Sequence, residues 1–151
     1  MKLENAIKQS TFTSEDQKVL LNLIYTFYYI KQKQKEFFDP YGITAQQYNV
    51  LRILRGVHPK AYTVYQIRER MLDKMSDASR IVDRLVKKGL VNRAITPADK
   101  RKVDVTINKK GLSLLKNIDK PLEKFMQETF KDLSPAEKET LDRLLDKVRG
   151  A

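Results

Sequence analysis

"DKMSDASRIVDRLVKKGLV", Asp73–Val91, is the stretch that decides the fold, because it predicts a short helix with two unlike faces. The apolar residues recur at helical spacing and form one stripe: Ala78, Ile81, Val82, Leu85 and Val86. The other face is polar and mostly basic, with Asp77, Ser79, Arg80, Asp83, Arg84, Lys87 and Lys88. Ser76 is predicted as the N-cap, and Gly89 as the left-handed residue that ends the helix.

Capping boxes predict the helices around this one, because a Ser or Thr followed three residues later by Gln or Glu satisfies free N–H groups at a helix start. They occur at Ser14–Gln17, Thr44–Gln47, Thr63–Gln66 and Ser134–Glu137. The first helix is expected to run to about Phe38, where "DPYG" breaks it. Two short helices, from Thr44 and from Thr63, therefore precede the helix that starts near Ser76.

The periodicity changes after Gly89. Leu90–Ile95 and Lys102–Ile107 alternate apolar and polar residues and are separated by the charged loop "TPADKR", which predicts one β-hairpin and no other β-structure. Helical spacing returns from Asn108, through Pro121, where we expect a kink. The stripes of the last two helices are Leu112, Leu115, Ile118, Leu122, Phe125 and Met126, then Leu141, Leu144, Leu145 and Val148.

The order helix, helix, helix, hairpin over residues 43–107 is typical of a winged helix-turn-helix lobe, with the hairpin as the wing. The fold class is therefore mainly α with one β-hairpin wing. The remaining helices, in residues 1–42 and 108–151, are expected to form a helical dimerisation region from both termini. A helix about 10–12 Å across fits a DNA major groove about 12 Å wide.

Charge also indicates a polyanionic partner. The formal net charge of the 151 residues is +11, and residues 80–110 contain ten basic and three acidic side chains. Such focusing favours contact with DNA phosphates and an affinity that falls with salt. The absence of cysteine excludes disulfides, thiolate metal sites and a thiol switch. With one histidine and no metal-ligand spacing, we expect no metal and no cofactor.

The predicted DNA contacts lie on the helix and at the hairpin tip: Ser76, Asp77, Ser79, Arg80, Asp83, Arg84, Lys87, Asp99, Lys100, Arg101 and Lys102. Arg80 and Arg84 can offer paired donors to guanine. Asp83, like Asp77, is unusual on such a face, and it either accepts from cytosine or holds an arginine in place. Arg101 at the tip is suited to the electronegative minor groove, with Asp99 to orient it.

The run Met75–Gly111 resembles the MarR family of winged helix-turn-helix transcription regulators. The matching features are a Ser-containing start of the helix, the "LxxxGLV" end, an Asp-x-Arg wing tip and a Gly that opens the next helix. They fall on Leu85, Gly89–Val91, Asp99, Arg101, Val103, Val105 and Gly111. Asn108 stands where the family usually has Thr, and both residue types cap helices.

The resemblance implies a homodimer in which the terminal helices of both chains pack together and each lobe meets one half of a near-palindromic operator. The matching surfaces would include Leu20, Ile24, Leu115, Leu122, Phe125, Leu141, Leu144 and Leu145. Many family members also bind small aromatic or anionic effectors between the two regions. For Tyr25 and Tyr28, packing and effector stacking both stay open. For His58 the alternatives are a turn-closing role and a sensing role.

The sequence leaves a rival open: an architectural or protein-interaction winged-helix module that binds nucleic acid without sequence preference. An enzyme is not expected, since no phosphate loop or nucleophile motif is present. The N-terminus lacks the apolar core of a signal peptide, and Val19–Ile30 is too short for a membrane span. We therefore expect a cytoplasmic, nucleoid-associated bacterial repressor without a membrane partner.

Overall fold

The computed structural model describes residues 1–151, with seven α-helices and three β-strands. In chain order they are α1 (Leu3–Ile7), α2 (Glu15–Phe38), α3 (Ala45–Arg55), β1 (Tyr62–Thr63), α4 (Val64–Arg70), α5 (Ala78–Lys87), β2 (Val91–Thr96), β3 (Asp99–Ile107), α6 (Lys109–Thr129) and α7 (Pro135–Val148). A turn of 3-10 helix, Asp39–Tyr41, joins α2 to α3. The predicted class, mainly α with a β-hairpin, is confirmed.

Side-chain caps explain where the helices begin. The boxes at Thr44, Thr63 and Ser134 are complete, with hydroxyl and N3 side chain each accepting from the other residue's backbone N–H. At Ser14 only half of the predicted box forms. The Ser14 hydroxyl accepts from the Gln17 N–H at 3.1 Å, but the Gln17 side chain accepts from the Thr13 N–H and not from the Ser14 N–H. α2 ends at Phe38, as predicted.

The sheet contains one strand more than the sequence predicted. β2 and β3 form the expected hairpin, and β1 pairs antiparallel with the other edge of β3, placing Tyr62 opposite Val105. The prediction of a single hairpin as the only β-structure is therefore wrong. A strand of two residues is too short to display alternation in the sequence. The predicted elements also lack α1, a helix of five residues.

One apolar core unites the central lobe with the first half of α6. Its members include Val50, Leu51, Leu54, Ile67, Val82, Leu85, Val91, Val105, Leu115 and Ile118. Leu115 has no exposed surface, so the expectation that it contributes to a dimer interface is wrong. Leu115 packs within its own chain. The apolar stripe of α6 is buried in the first half of the helix, at Leu115 and Ile118, and exposed near its end, at Met126. α6 remains one helix through Pro121.

The outer faces of α2, α6 and α7 carry exposed apolar side chains. They are Val19, Leu20, Ile24, Phe27, Tyr28, Tyr29, Met126, Phe130, Leu141, Leu144 and Val148. Leu122, Phe125 and Leu145 are half-buried, and the Phe125 ring centre lies 4.9 Å from that of Phe37. None of the helices combines the length and the apolar character required to cross a bilayer.

Two polar contacts fix the central helices relative to their neighbours. The buried Asn49 side chain of α3 accepts a hydrogen bond from the Leu72 N–H at 2.9 Å, which ties the α4–α5 turn to α3. Arg55, near the end of α3, donates to both carboxylate oxygens of Asp119 in α6 at 2.9 Å. The helix-turn-helix is therefore held from both sides.

Candidate nucleic-acid interface

The helix α5 turns its apolar stripe inward and its polar face outward, as the sequence predicted. Ala78, Val82 and Leu85 are buried, and Ile81 and Val86 are half-buried. The exposed residues are Ser79, Arg80, Asp83, Arg84 and Lys87. Packing against α3 and α4 therefore fixes which side chains remain available to a partner.

The start of α5 differs from the sequence prediction. Asp77, not Ser76, is the N-cap: its carboxylate accepts from the Arg80 N–H at 3.1 Å. The Asp73 carboxylate accepts hydrogen bonds from the Ser76 hydroxyl and the Met75 N–H, and these bonds lower the pKa of Asp73. Asp77 therefore has a structural reason to lie on an otherwise basic face, because an acid cap also complements the helix dipole.

A cleft of about 230 Å³ lies where the N-termini of α3 and α5 meet. Ser76, Asp77, Arg80, Ile81 and Arg84 line one side, and Thr44, Gln46 and Gln47 line the other. Thr44 and Gln46 were not among the predicted DNA contacts, because the capping-box pattern of Thr44 indicates only a helix start. The cleft widens the polar surface from one helix to two.

An ion pair joins the exposed face of α5 to the hairpin. The Asp83 carboxylate binds the guanidinium of Arg93 on β2, and both side chains are half exposed. Of the two roles left open for Asp83, the structure favours holding an arginine. Arg93 therefore belongs to the candidate interface, although the sequence indicated it only as one of the basic residues of the region 80–110.

The hairpin tip presents a basic triplet outside the strand ladder. Ile95 pairs with Val103, but Thr96 pairs with Asp99, so the register shifts and Lys100, Arg101 and Lys102 have no partner on β2. The Asp99 carboxylate accepts from the backbone N–H of Arg101 at 3.0 Å. Asp99 therefore orients the backbone of Arg101 and leaves its exposed guanidinium without an ion pair.

Behind α5, two residues join its end to α6. Gly89 has the predicted left-handed conformation, with φ of 70°, and its carbonyl oxygen accepts from the Asn108 side-chain amide at 2.9 Å. The Asn108 side-chain oxygen Oδ1 accepts from the Gly111 N–H and so caps α6. The Lys88 ammonium donates to the Gly42 carbonyl, so this cation is engaged within the protein.

The three residues expected near an effector lie on α2 and in the turn after α3. Tyr25 is half-buried, Tyr28 is exposed, and His58 is exposed in the turn after α3. None of them lines the α3–α5 cleft or a second cleft of about 340 Å³ beside Arg52, Tyr62 and Arg70. No three His, Asp or Glu side chains are grouped so that they could hold a metal ion.

The family model of the MarR family matches residues 41–102, which contain α3, α4, α5 and most of the hairpin. The multiple antibiotic resistance protein MarR of Escherichia coli (strain K12) is 32% identical over 114 residues, covering 75% of this chain and 78% of that protein.

Two solved structures extend this likeness to the fold. A mutant MarR from Escherichia coli complexed with operator DNA is similar with a TM-score of 0.75 and 29% identity, over 98% of this chain and 99% of that one. BpsR of Bordetella bronchiseptica, whose DNA binding is regulated by 6-hydroxynicotinic acid, is similar with a TM-score of 0.70 and 26% identity, over 85% of this chain and 98% of that one. The chain described here belongs to the MarR family of transcription regulators.

Proposed function

We propose that this chain represses transcription by binding a pseudo-palindromic operator in duplex DNA as a homodimer. Members of its family are transcriptional regulators and not enzymes. The two functions to distinguish are therefore sequence-specific and non-specific binding of DNA. The observation that carries the proposal is the Asp83–Arg93 contact. It joins the exposed face of α5 to the hairpin, so one continuous surface can meet a groove and its flanking backbone.

Within that surface the arginine and lysine side chains are suited to different parts of the DNA. Arg80 and Arg84 lie on the exposed face of α5, where a planar guanidinium can donate twice to guanine. Lys87 and the tip lysines, Lys100 and Lys102, are suited to phosphates, because an ammonium is a point charge without paired donors. Arg101 is free of ion pairs at the tip and is suited to a narrow minor groove. The similar mutant MarR from Escherichia coli is complexed with operator DNA, which supports duplex DNA as the partner of this surface.

The dimer is proposed from the apolar faces that this chain leaves uncovered. Leu20 and Ile24 on α2, and Leu141 and Leu144 on α7, are each 39% to 57% exposed. Large exposed apolar patches mark interaction surfaces, and these lie in residues 1–42 and 108–151, outside the 43–107 lobe. A two-fold dimer would present its lobes to half-sites about 10 bp apart.

A small anionic aromatic effector is a further part of the proposal. BpsR, whose DNA binding is regulated by an aromatic acid, supports this class of ligand. Tyr25 and Tyr28 supply rings on α2, and His58 supplies a titratable group after α3. A ligand near these residues would alter the spacing of the lobes and release the operator. With DNA as its partner, the protein is proposed to act in the cytoplasm, in association with the nucleoid.

Selection of bound duplexes from a random pool, followed by titration over salt, tests the proposal. We expect a consensus with two-fold symmetry and a steep fall of affinity with salt. The selected duplex should bind at least tenfold more tightly than a scrambled duplex of the same composition. Equal affinity for both duplexes would instead support the non-specific architectural module, which the concentration of basic residues at 80–110 also favours.

A further inference from the structure

One large apolar side chain at the start of α5 has no role in the surface described so far. Met75 is 94% exposed, although Met is usually a buried residue that fills gaps in cores. It stands two residues before the N-cap Asp77, and therefore within about 7 Å of it along the chain. Ser76 and Asp77, the two residues that follow it, line the cleft shared by α3 and α5.

The backbone that carries Met75 is ordered by hydrogen bonds. The Met75 N–H donates to the Asp73 carboxylate at 3.0 Å, and the Ser76 N–H donates to the Asp73 carbonyl at 3.3 Å. At the other end of the turn, the Leu72 N–H donates to buried Asn49. The exposed position of Met75 is thus set by a defined turn, which reduces the entropy lost when the side chain meets a partner.

The chemistry of the major groove offers one apolar feature to such a side chain. Base edges in that groove present hydrogen-bond donors and acceptors, except for the C5-methyl group of thymine. Resting on the proposed function, we propose that Met75 determines specificity by packing against a thymine methyl at the edge of each half-site. The flexible, unbranched thioether can adjust to the position of a methyl group that the rigid helix does not reach.

Replacement of single thymines by deoxyuridine in the selected operator removes one methyl group and leaves every hydrogen bond of the base pair intact. We expect the wild-type protein to lose about fourfold in affinity at one thymine per half-site, the effect of one buried carbon. In Met75→Ala and Met75→Gln, the loss at that position should vanish, because the apolar contact is already absent. Binding is measured by fluorescence anisotropy on the intact dimer.

Two control variants make the result specific. Arg101→Ala should bind all duplexes more weakly but keep the sensitivity to deoxyuridine. Leu72→Ala removes an exposed apolar side chain, 84% accessible, from the other end of the same turn and should also keep it. Loss of the sensitivity in Leu72→Ala and not in Met75→Ala would overturn the assignment to Met75.

The remaining outcomes separate this inference from the proposed function. If the pool yields an operator but the Met75 variants keep the same sensitivity to deoxyuridine as wild type, the inference about Met75 is wrong and the proposed function stands. If the pool yields no preferred duplex, the proposed function fails and the inference falls with it. Unchanged melting temperatures of the Met75 variants would exclude a folding defect, as expected for a side chain with so little buried surface.

Discussion

Charged residues on the exposed face of α5 differ in their partners, and this difference separates side chains engaged within the protein from those available for the proposed DNA contact. Asp77 caps its own helix and Asp83 holds Arg93, so both acids are engaged within the protein. Arg80 and Arg84 form no ion pair and line the cleft shared with α3. The cations that remain available are thus the ones that can donate to bases and phosphates.

Replacement of Arg80 by Ala is expected to relax base preference at one position of each half-site. If the guanidinium donates twice to guanine, the affinity for the operator falls by about 1–3 kcal/mol, and the loss is smaller on duplexes that lack this guanine. Arg101→Ala is the matched comparison at the hairpin tip. Titration of both variants against operators with single base changes measures the difference, and a uniform loss for Arg80→Ala would identify a phosphate contact.

Gly111, in the first turn of α6, packs directly against Leu90 and Ile107. A Cβ there would lie 2.4 Å from the Leu90 carbonyl oxygen and 2.7 Å from Ile107 Cγ1. We therefore expect Gly111→Ala to lower the free energy of unfolding in urea by about 1–3 kcal/mol. Gly56→Ala is the control, because its Cβ would meet nothing closer than 3.4 Å. Equal stabilities of the two variants would contradict this packing.

At the scale of elements, the capping boxes and the change of period made the helices and the hairpin predictable from the sequence. These signals are local, since each depends on residues three or four positions apart or on strict alternation. β1 was beyond them because Tyr62 pairs with Val105, far along the chain. Asp77 is the N-cap in place of Ser76, because the Ser76 hydroxyl donates to the Asp73 carboxylate. This contact lies within a turn, which has no periodic pattern in the sequence.

The site was less predictable than the fold. The exposed face of α5 follows from its apolar stripe, so the exposure of Arg80 and Arg84 was predicted from spacing alone. The Asp83–Arg93 pair and the cleft with Thr44 depend on how separate elements approach each other, which spacing does not report. Leu115 was misassigned because an apolar stripe looks the same whether it packs within one chain or between two.

The capping box of α7 predicts a pH dependence of stability. Hydrogen bonds from the Ser134 backbone N–H and hydroxyl hold the pKa of Glu137 below its ordinary value of 4.5. The charged carboxylate therefore stabilises the folded state fully above that value, and this contribution is lost as the pH falls through the lower, folded-state pKa. In Glu137→Gln the box can still form, as it does with Gln47 and Gln66.

We therefore expect wild type to be the more stable of the two proteins at pH 7, and the difference to shrink as the pH falls below 4.5. Thermal melting of both proteins from pH 7 to pH 3 measures that difference, in which the other carboxylates cancel. A difference that is the same at every pH would show that the charge of Glu137 does not contribute.

At the scale of the whole molecule, the balance of buried and exposed apolar surface predicts the oligomeric state. The central lobe covers its own core, but the outer faces of α2 and α7 stay open. Burial of that surface against a second copy would release water from it at roughly 25 cal/mol per Å². The two lobes of the proposed dimer would bind two half-sites at once, and this bivalent binding would give a higher DNA affinity than that of a single lobe.

Leu144→Glu tests this arrangement, because Leu144 is 45% exposed on α7 and a charge there would be buried in the interface. We expect the variant to elute and scatter light as a monomer at micromolar concentration and to lose cooperative operator binding. Leu72→Glu adds the same charge at an exposed leucine of the lobe, and its mass in solution should equal that of wild type. A dimeric Leu144→Glu would place the interface elsewhere.

The hydrogen bond between the Asn108 amide and the Gly89 carbonyl has a geometric consequence for regulation. It ties the exit of α5 to the first turn of α6, so a rotation of α6 would be transmitted to α5. α6 has 21 residues and is therefore about 30 Å long, so an angular change of about 10° at one end displaces the other by about 5 Å. That displacement exceeds one base step of about 3.4 Å, enough to take a lobe out of phase with its half-site.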